Sequence, residues 1–224
     1  MRKTDQKRQH ILDTAYRLFQ SKGFANTSMS EITAEAGGSK ATVYNYFASK
    51  DELFLACMTS ITEHYIEGAF DDLKVPTIDF QTTLFDTAKT VLRYLCQPEM
   101  LASKRLMIAE ADRSGIGKLF YRTLEGYVEE LAAFLRGAMD EGHLRQADPL
   151  LAAHQLRALI ETDIVERCLL GAIDVPPTAA AVSRAAKNAV ATFMRAYAPL
   201  GDGEDSVAKP TPGIGSTRRL DSRK

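Results

Sequence analysis

The sequence predicts an all-α protein. Three observations carry this: apolar residues recur at spacings of three and four along most of the chain, no stretch sustains the apolar/polar alternation of a half-buried strand, and Gly, Pro and hydroxyl residues cut the chain into helix-sized pieces. The composition suits a packed core, since 45% of the 224 residues are hydrophobic and 25% charged.

In the first helix Ile11, Leu12, Ala15, Leu18 and Phe19 share one face, and Gly23 stands where a left-handed cap would end it. Ser28-Met29-Ser30-Glu31 has capping-box form and starts a second helix, which points Met29, Ile32 and Ala36 inward and stops at Gly37-Gly38. Ser39 caps a short third helix. A second capping box, Ser49-Lys50-Asp51-Glu52, opens a fourth, running through Leu53, Phe54, Cys57, Met58, Ile61 and Tyr65 towards Leu73 and stopping before Pro76. Beyond it, helical segments are expected near 78–96, 98–112, 117–142, 148–171 and 176–198, separated at Pro98, Ser114-Gly115, Gly142, Pro149 and Pro176-Pro177. That makes about nine helices. After residue 200 apolar residues become few, and 201–224 is expected to be a disordered tail.

Several function classes are disfavoured. No apolar run approaches the ~20 residues that span a bilayer, and the polar N-terminus is followed by no signal-like apolar stretch, so a cytoplasmic location and no membrane partner are expected. Cys57, Cys96 and Cys168 are odd in number and have no C-x-x-C pairing, which points to buried thiols and to neither a disulfide framework nor a zinc site. His10, His64, His143 and His154 have no metal-ligand spacing, and no G-x-S-x-G, phosphate loop or H-E-x-x-H occurs. No enzyme, metal or cofactor is expected.

The net charge of −1 conceals a division along the chain. Residues 1–50 hold eight Lys/Arg against four acids, whereas 51–200 hold 15 basic against 21 acidic residues. A basic head on an acidic body suits a polyanion-binding module joined to a part that does not bind polyanions. The head also contains two short helices joined by a tight Gly turn, the second preceded by a hydroxyl cap and rich in small polar residues, which fits a helix-turn-helix. In such a motif the second helix lies in the major groove of double-stranded DNA. With Val43 and Phe47 directed inward, Lys40, Ala41, Thr42, Tyr44 and Asn45 form the outer arc. Lys40 can donate to guanine acceptors or to phosphate, Ala41 and Thr42 can approach a thymine methyl, and Asn45 can pair with adenine if it reaches that far. Tyr44, Tyr46, Thr27 or Ser28, Ser39 and Lys50 are candidates for the phosphate backbone. The same spacing also fits a plain helical hairpin whose hydroxyls serve only as caps.

Over residues 8–55 the chain resembles the DNA-binding domain of the TetR family of bacterial regulators. The resemblance rests on Ile11-Leu12-Asp13-Thr14-Ala15, Gly23-Phe24, Thr27-Ser28, Ile32-Thr33-Ala34-Glu35-Ala36-Gly37, Ser39 through Phe47, and Ser49-Lys50-Asp51-Glu52-Leu53. Gly38 departs from it, because the family usually places a small apolar residue such as Val there. Leu101 through Ala111 and Gly142-His143-Leu144-Arg145-Gln146-Ala147-Asp148-Pro149 further resemble the AcrR and AefR-like branch.

The resemblance implies a DNA-binding domain over 1–56 and an effector-binding and dimerisation domain over 57–200. It implies a homodimer built from the segments near 148–171 and 176–198, acting as a repressor that a small molecule releases from a palindromic operator. Apolar residues on more than one face of 148–171, and a stripe of Val182, Ala185, Ala186, Ala189, Val190 and Phe193, agree with helices of that kind. Tyr65, Phe85, Arg93, Met107, Glu110, Tyr121, Tyr127, Arg157 and Glu161 are candidate effector-lining residues on the middle helices. A DNA-binding protein with no small-molecule ligand, controlled by a protein partner or purely architectural, is the alternative.

Overall fold

A computed structural model describes residues 3–71 and 79–199, with the side chains of 3 and 65–71 excepted. The expected tail beyond 200 and the side chain of Tyr65 therefore lie outside the described residues. Among the described residues ten helices occur: α1 (Lys3–Lys22), α2 (Met29–Glu35), α3 (Lys40–Tyr46), α4 (Lys50–Asp71), α5 (Phe80–Leu95), α6 (Pro98–Glu110), α7 (Ile116–Asp140), α8 (Pro149–Thr162), α9 (Val165–Leu169) and α10 (Ala179–Tyr197). No strand occurs among the described residues, and none of their helices is long and apolar enough to cross a membrane.

The tenth helix corrects the expected single segment over 148–171. At Ile164 the backbone leaves helical geometry (φ −129°, ψ −27°), and the chain restarts as α9. Arg105 of α6 then closes this short helix by donating from Nε to the Leu169 carbonyl and from Nη2 to that of Cys168. A cation at a helix C-terminus satisfies carbonyls that have no partner within the helix.

Two apolar cores organise the chain. The first gathers Ile11, Leu12, Phe19, Phe24, Ile32, Val43, Phe47, Leu53 and Phe54 from α1–α4. It does not end at residue 56, for Cys57 and Met58 belong to it, and α6 and α7 add Met107 and Ile116. Two further contacts cross this seam: Tyr16 donates its hydroxyl to the Glu99 carbonyl at 3.1 Å, and the Arg113 guanidinium lies 4.7 Å from the centre of the Phe24 ring. The second core joins α5, α7, α8, α9 and α10 through residues such as Leu92, Leu135, Leu156, Cys168, Val190 and Phe193. The α10 stripe from Val182 to Phe193 is buried in this core, so its alanines bring α10 close to helices of its own chain.

All three cysteines are free and buried, as the sequence suggested. Burial raises the Cys57 thiol well above its usual range, and burial with the neighbouring Cys168 thiol pushes Cys96 up to about 12. Thiolates are thereby suppressed.

Candidate DNA-reading face and interior cavity

The geometry of the head follows from its caps. Ser28 Oγ accepts the Glu31 amide at 3.2 Å and Ser39 Oγ accepts the Thr42 amide at 3.1 Å, which fixes the starts of α2 and α3. Between them Gly37 adopts φ +61°, a conformation that a side chain disfavours. Lys7 of α1 donates its ammonium to the carbonyls of Ala36 and Gly37, so a cation seals the C-terminal end of α2. Nothing in the spacing of the helix-turn-helix announced Lys7. Its position on the polar side of α1, one turn before Ile11, is the signal available in hindsight.

With Val43 and Phe47 buried, α3 turns Lys40, Ala41, Tyr44 and Asn45 outward. The Lys40 ammonium lies 5.8 Å from the Tyr44 ring centre, extending along the exposed surface of the helix. Thr42 is half-buried, and its hydroxyl pairs with that of Ser39 at 2.9 Å. Tyr46 is half-buried against the first core, while Ser28 and Ser39 are exposed.

Two expected phosphate contacts sit differently. Thr27 is buried, and its hydroxyl donates back to the Gly23 carbonyl at 2.8 Å and towards that of Leu18 at 3.3 Å. Its side chain closes the turn after α1 and does not face outward. Lys50 donates its ammonium to the carbonyls of Phe24 and Thr27 at 2.8 and 2.7 Å, with the charge 4.3 Å from the centre of the Phe24 ring. The sequence showed a cation at a helix start. It did not show that the preceding turn leaves two carbonyls for that cation to satisfy. The second capping box is likewise shifted by one residue: Ser49 accepts the Glu52 amide, and Glu52 Oε2 accepts from Ala48, where the box pattern expects Ser49.

In the body, α4 to α8 enclose an apolar cavity of about 140 Å³, with Leu84, Ala88, Val91, Leu124, Val128 and Leu131 on its walls and Thr62 of α4 at its edge. Of the residues expected to line an effector site, Tyr127, Arg157 and Glu161 do so. The others whose side chains are described are placed elsewhere. Met107 packs in the first core, Phe85 packs on the second beneath Lys89, and Arg93 is exposed beside Tyr94. Glu110 pairs with Arg113 at 2.7 Å, and Tyr121 is exposed. Choosing by size and polarity misled, because this wall is made mainly of medium apolar side chains at helical spacing on α5 and α7.

At one end of the cavity Glu161 accepts from Lys104 Nζ at 2.9 Å and from Arg157 Nε at 2.8 Å. Burial by itself raises the Glu161 carboxyl, but the charges and hydrogen bonds of Lys104 and Arg157 outweigh it and hold the group below the usual carboxylate range. These three residues also line a more open groove of about 370 Å³ with His154, Ala158 and Leu169. No grouping of three His, Cys, Asp or Glu residues able to hold a metal occurs among the described residues.

Residues 11–57 match the model of bacterial regulatory proteins of the tetR family, and residues 82–199 match that of the AefR-like transcriptional repressor C-terminal domain. The HTH-type transcriptional regulator YxaF of Bacillus subtilis is 30% identical over 167 residues, covering 70% of this chain and 80% of that protein. Among solved structures, a TetR-family transcriptional regulator of Mesorhizobium loti superposes with a TM-score of 0.79 at 27% identity, over 88% of this chain and all of the other. The flavonoid-responsive regulator FrrA gives 0.73 at 30% identity with the same coverage.

Proposed function

Because this chain belongs to the TetR family of bacterial regulatory proteins, and is thus a DNA-binding transcriptional regulator and not an enzyme, we propose that it is a homodimeric repressor released from a palindromic operator by a small molecule. The carrying observation is the outer arc of α3, where Lys40, Ala41, Tyr44 and Asn45 stand exposed on a helix anchored by buried Val43 and Phe47. Lys40 and Asn45 address base edges in this reading, with Ala41 and Thr42 beside a thymine methyl. Ser28, Ser39, Tyr44 and Tyr46 position the phosphates.

Dimerisation is assigned to the outward sides of α8 and α10. The α10 alanine stripe is buried within the protomer, so the partner must meet other residues, among them Leu150 and Leu151 of α8, which are 46% and 50% exposed. Two heads related by a two-fold axis read inverted half-sites. The small-molecule part of the reading is supported by the apolar cavity, and by the likeness to FrrA, a flavonoid-responsive regulator. Helix α4 links the two regions physically: Lys50 at its start holds the α1–α2 turn, and Thr62 three turns on lines the cavity.

Selection of binding sites from random duplex DNA tests the reading. An inverted repeat is expected, and Asn45→Ala should relax base preference at one position of each half-site. A motif without two-fold symmetry, or one unchanged by both Lys40→Ala and Asn45→Ala, overturns it.

A further inference from the structure

The polar end of the cavity has more donors than acceptors. Among the residues that line the cavity, Lys104 and Arg157 share the single carboxylate of Glu161, one positive charge more than negative, while Glu166 lines only the adjoining groove. An ammonium carries three N–H donors and a guanidinium five. Among the described residues Glu161 takes one donor from each, and no other protein acceptor hydrogen-bonds the remaining donors of these two cavity-lining groups.

Thr87 supplies a second, independent observation from α5. Its side chain lines the cavity, its hydroxyl oxygen is buried, and no described residue hydrogen-bonds it. A helical threonine ordinarily donates to the carbonyl four residues back. Thr33, Thr62, Thr83 and Thr162 all do so here, at 2.7 to 3.1 Å. Thr87 does not make that bond. A buried hydroxyl without a partner is destabilising unless something else meets it.

We propose that the cavity takes an apolar molecule bearing one anionic oxygen group, held by Lys104 and Arg157, with a hydrogen-bonding atom further along its body meeting Thr87. The proposal rests on reading the cavity as the effector site and names the chemical class of the effector. A cationic guest would have to take Glu161 from Lys104 or Arg157. A neutral apolar guest would leave both the surplus donors and the charge unanswered. An anion answers both, in a wall otherwise too apolar for a strongly hydrated ion.

Two fluorescent probes with one skeleton separate charge from apolar fit: 8-anilinonaphthalene-1-sulfonate, an apolar monoanion, and uncharged N-phenyl-1-naphthylamine. With the full chain, the sulfonate is expected to bind about tenfold more tightly than the neutral probe, the scale of one charge-assisted hydrogen-bond pair. Lys104→Gln and Arg157→Gln should each remove most of that preference and leave the neutral probe unaffected. Glu161→Gln should act in the opposite sense and tighten the sulfonate several-fold, because it removes the competing carboxylate; a merely structural role for the cluster would not produce a gain. Circular dichroism melts establish that each variant is folded, and the three single variants test the same claim separately. Equal affinity for the two probes, or weaker sulfonate binding in Glu161→Gln, overturns the proposal. If the neutral probe binds equally well and still releases operator DNA, the effector reading stands and only the charge preference fails. If filling the cavity by Ala88→Trp, in a folded variant, leaves both probes bound as before, the cavity is not the site and both readings fail.

Discussion

In the head, Phe19, Phe24 and Phe54 meet ring against ring at 5.0 to 5.5 Å, and cations from α1 and α4 close the carbonyls left open at its turns. In the body, the helices leave a cavity of about 140 Å³ with an unpartnered hydroxyl on its wall. The contrast separates two requirements. Reading base edges needs one fixed geometry, because a displacement of an ångström misplaces every donor. Accepting a guest needs packing left incomplete until the guest supplies it.

The comparison breaks most directly through paired truncations. Phe54→Ala removes an aromatic side chain that is fully buried between two rings and should cost about 3–5 kcal/mol of unfolding free energy. Leu131→Ala cuts back a wall that already adjoins empty space and should cost about 2 kcal/mol, at the low end for buried leucine. Chemical denaturation of the two variants measures the difference. If Leu131→Ala matches Phe54→Ala, the body is as tightly packed as the head and the contrast fails.

A smaller effect decides what Lys50 does. Its two hydrogen bonds to the Phe24 and Thr27 carbonyls make it a brace of the head, and Lys50→Ala is expected to lower stability by about 2 kcal/mol. Once the loss of folded protein is corrected for, the slope of log affinity for DNA against log salt should stay the same. A slope reduced by about one would assign the ammonium to a phosphate after all.

Thr87→Val changes sign. Replacing an unpartnered buried hydroxyl by a methyl of the same shape should raise the stability of the free protein by about 1 kcal/mol, whereas removal of a satisfied hydroxyl would lower it. Thermal melts without any ligand read this directly. A lower melting temperature would mean that the hydroxyl has a partner in solution and that the cavity is less ready for a guest than its geometry indicates.

How much of this was legible in the sequence follows the same division. The head could be read closely, since Ser28, Ser39 and Ser49 mark helix starts by local chemistry, and Val43 and Phe47 give the inward face of α3 by spacing alone. Side-chain direction within the turns was not legible. Thr27 and Lys50 have the right types for phosphate, yet the carbonyls that capture them come together only when α1, α2 and α4 meet. The break at Ile164 was hidden for a similar reason, as it has no Gly or Pro to mark it, and the Arg105 contacts that close the short helix after it come from another helix. The cavity was least legible. It is a space between helices, set by how they cross, and of the candidates chosen by residue type only Tyr127, Arg157 and Glu161 lie on its wall.

Gly38 gives the finest test of the head's rigidity. A glycine where the family usually has a small apolar residue such as Val would be expected to forfeit packing and loosen the angle between the two helices of the motif. Of the two turn glycines only Gly37 has a positive φ, and a methyl built on Gly38 would meet the Lys7 side chain at 3.7 to 3.8 Å, an ordinary contact. Gly38→Ala thus introduces no backbone conflict, limits the freedom of the unfolded chain, and adds a contact to the lysine that already seals α2. The expected result is a gain of about 0.5 kcal/mol, seen as a slightly higher melting temperature, with the selected DNA motif unchanged. A loss of stability would show that the added methyl disturbs the Lys7 seal on α2 despite the ordinary contact distance, and that the turn is held more tightly than an exposed glycine implies. A changed motif at unchanged stability would show instead that the angle between α2 and α3 is set at this residue, and the head would then share some of the looseness of the body.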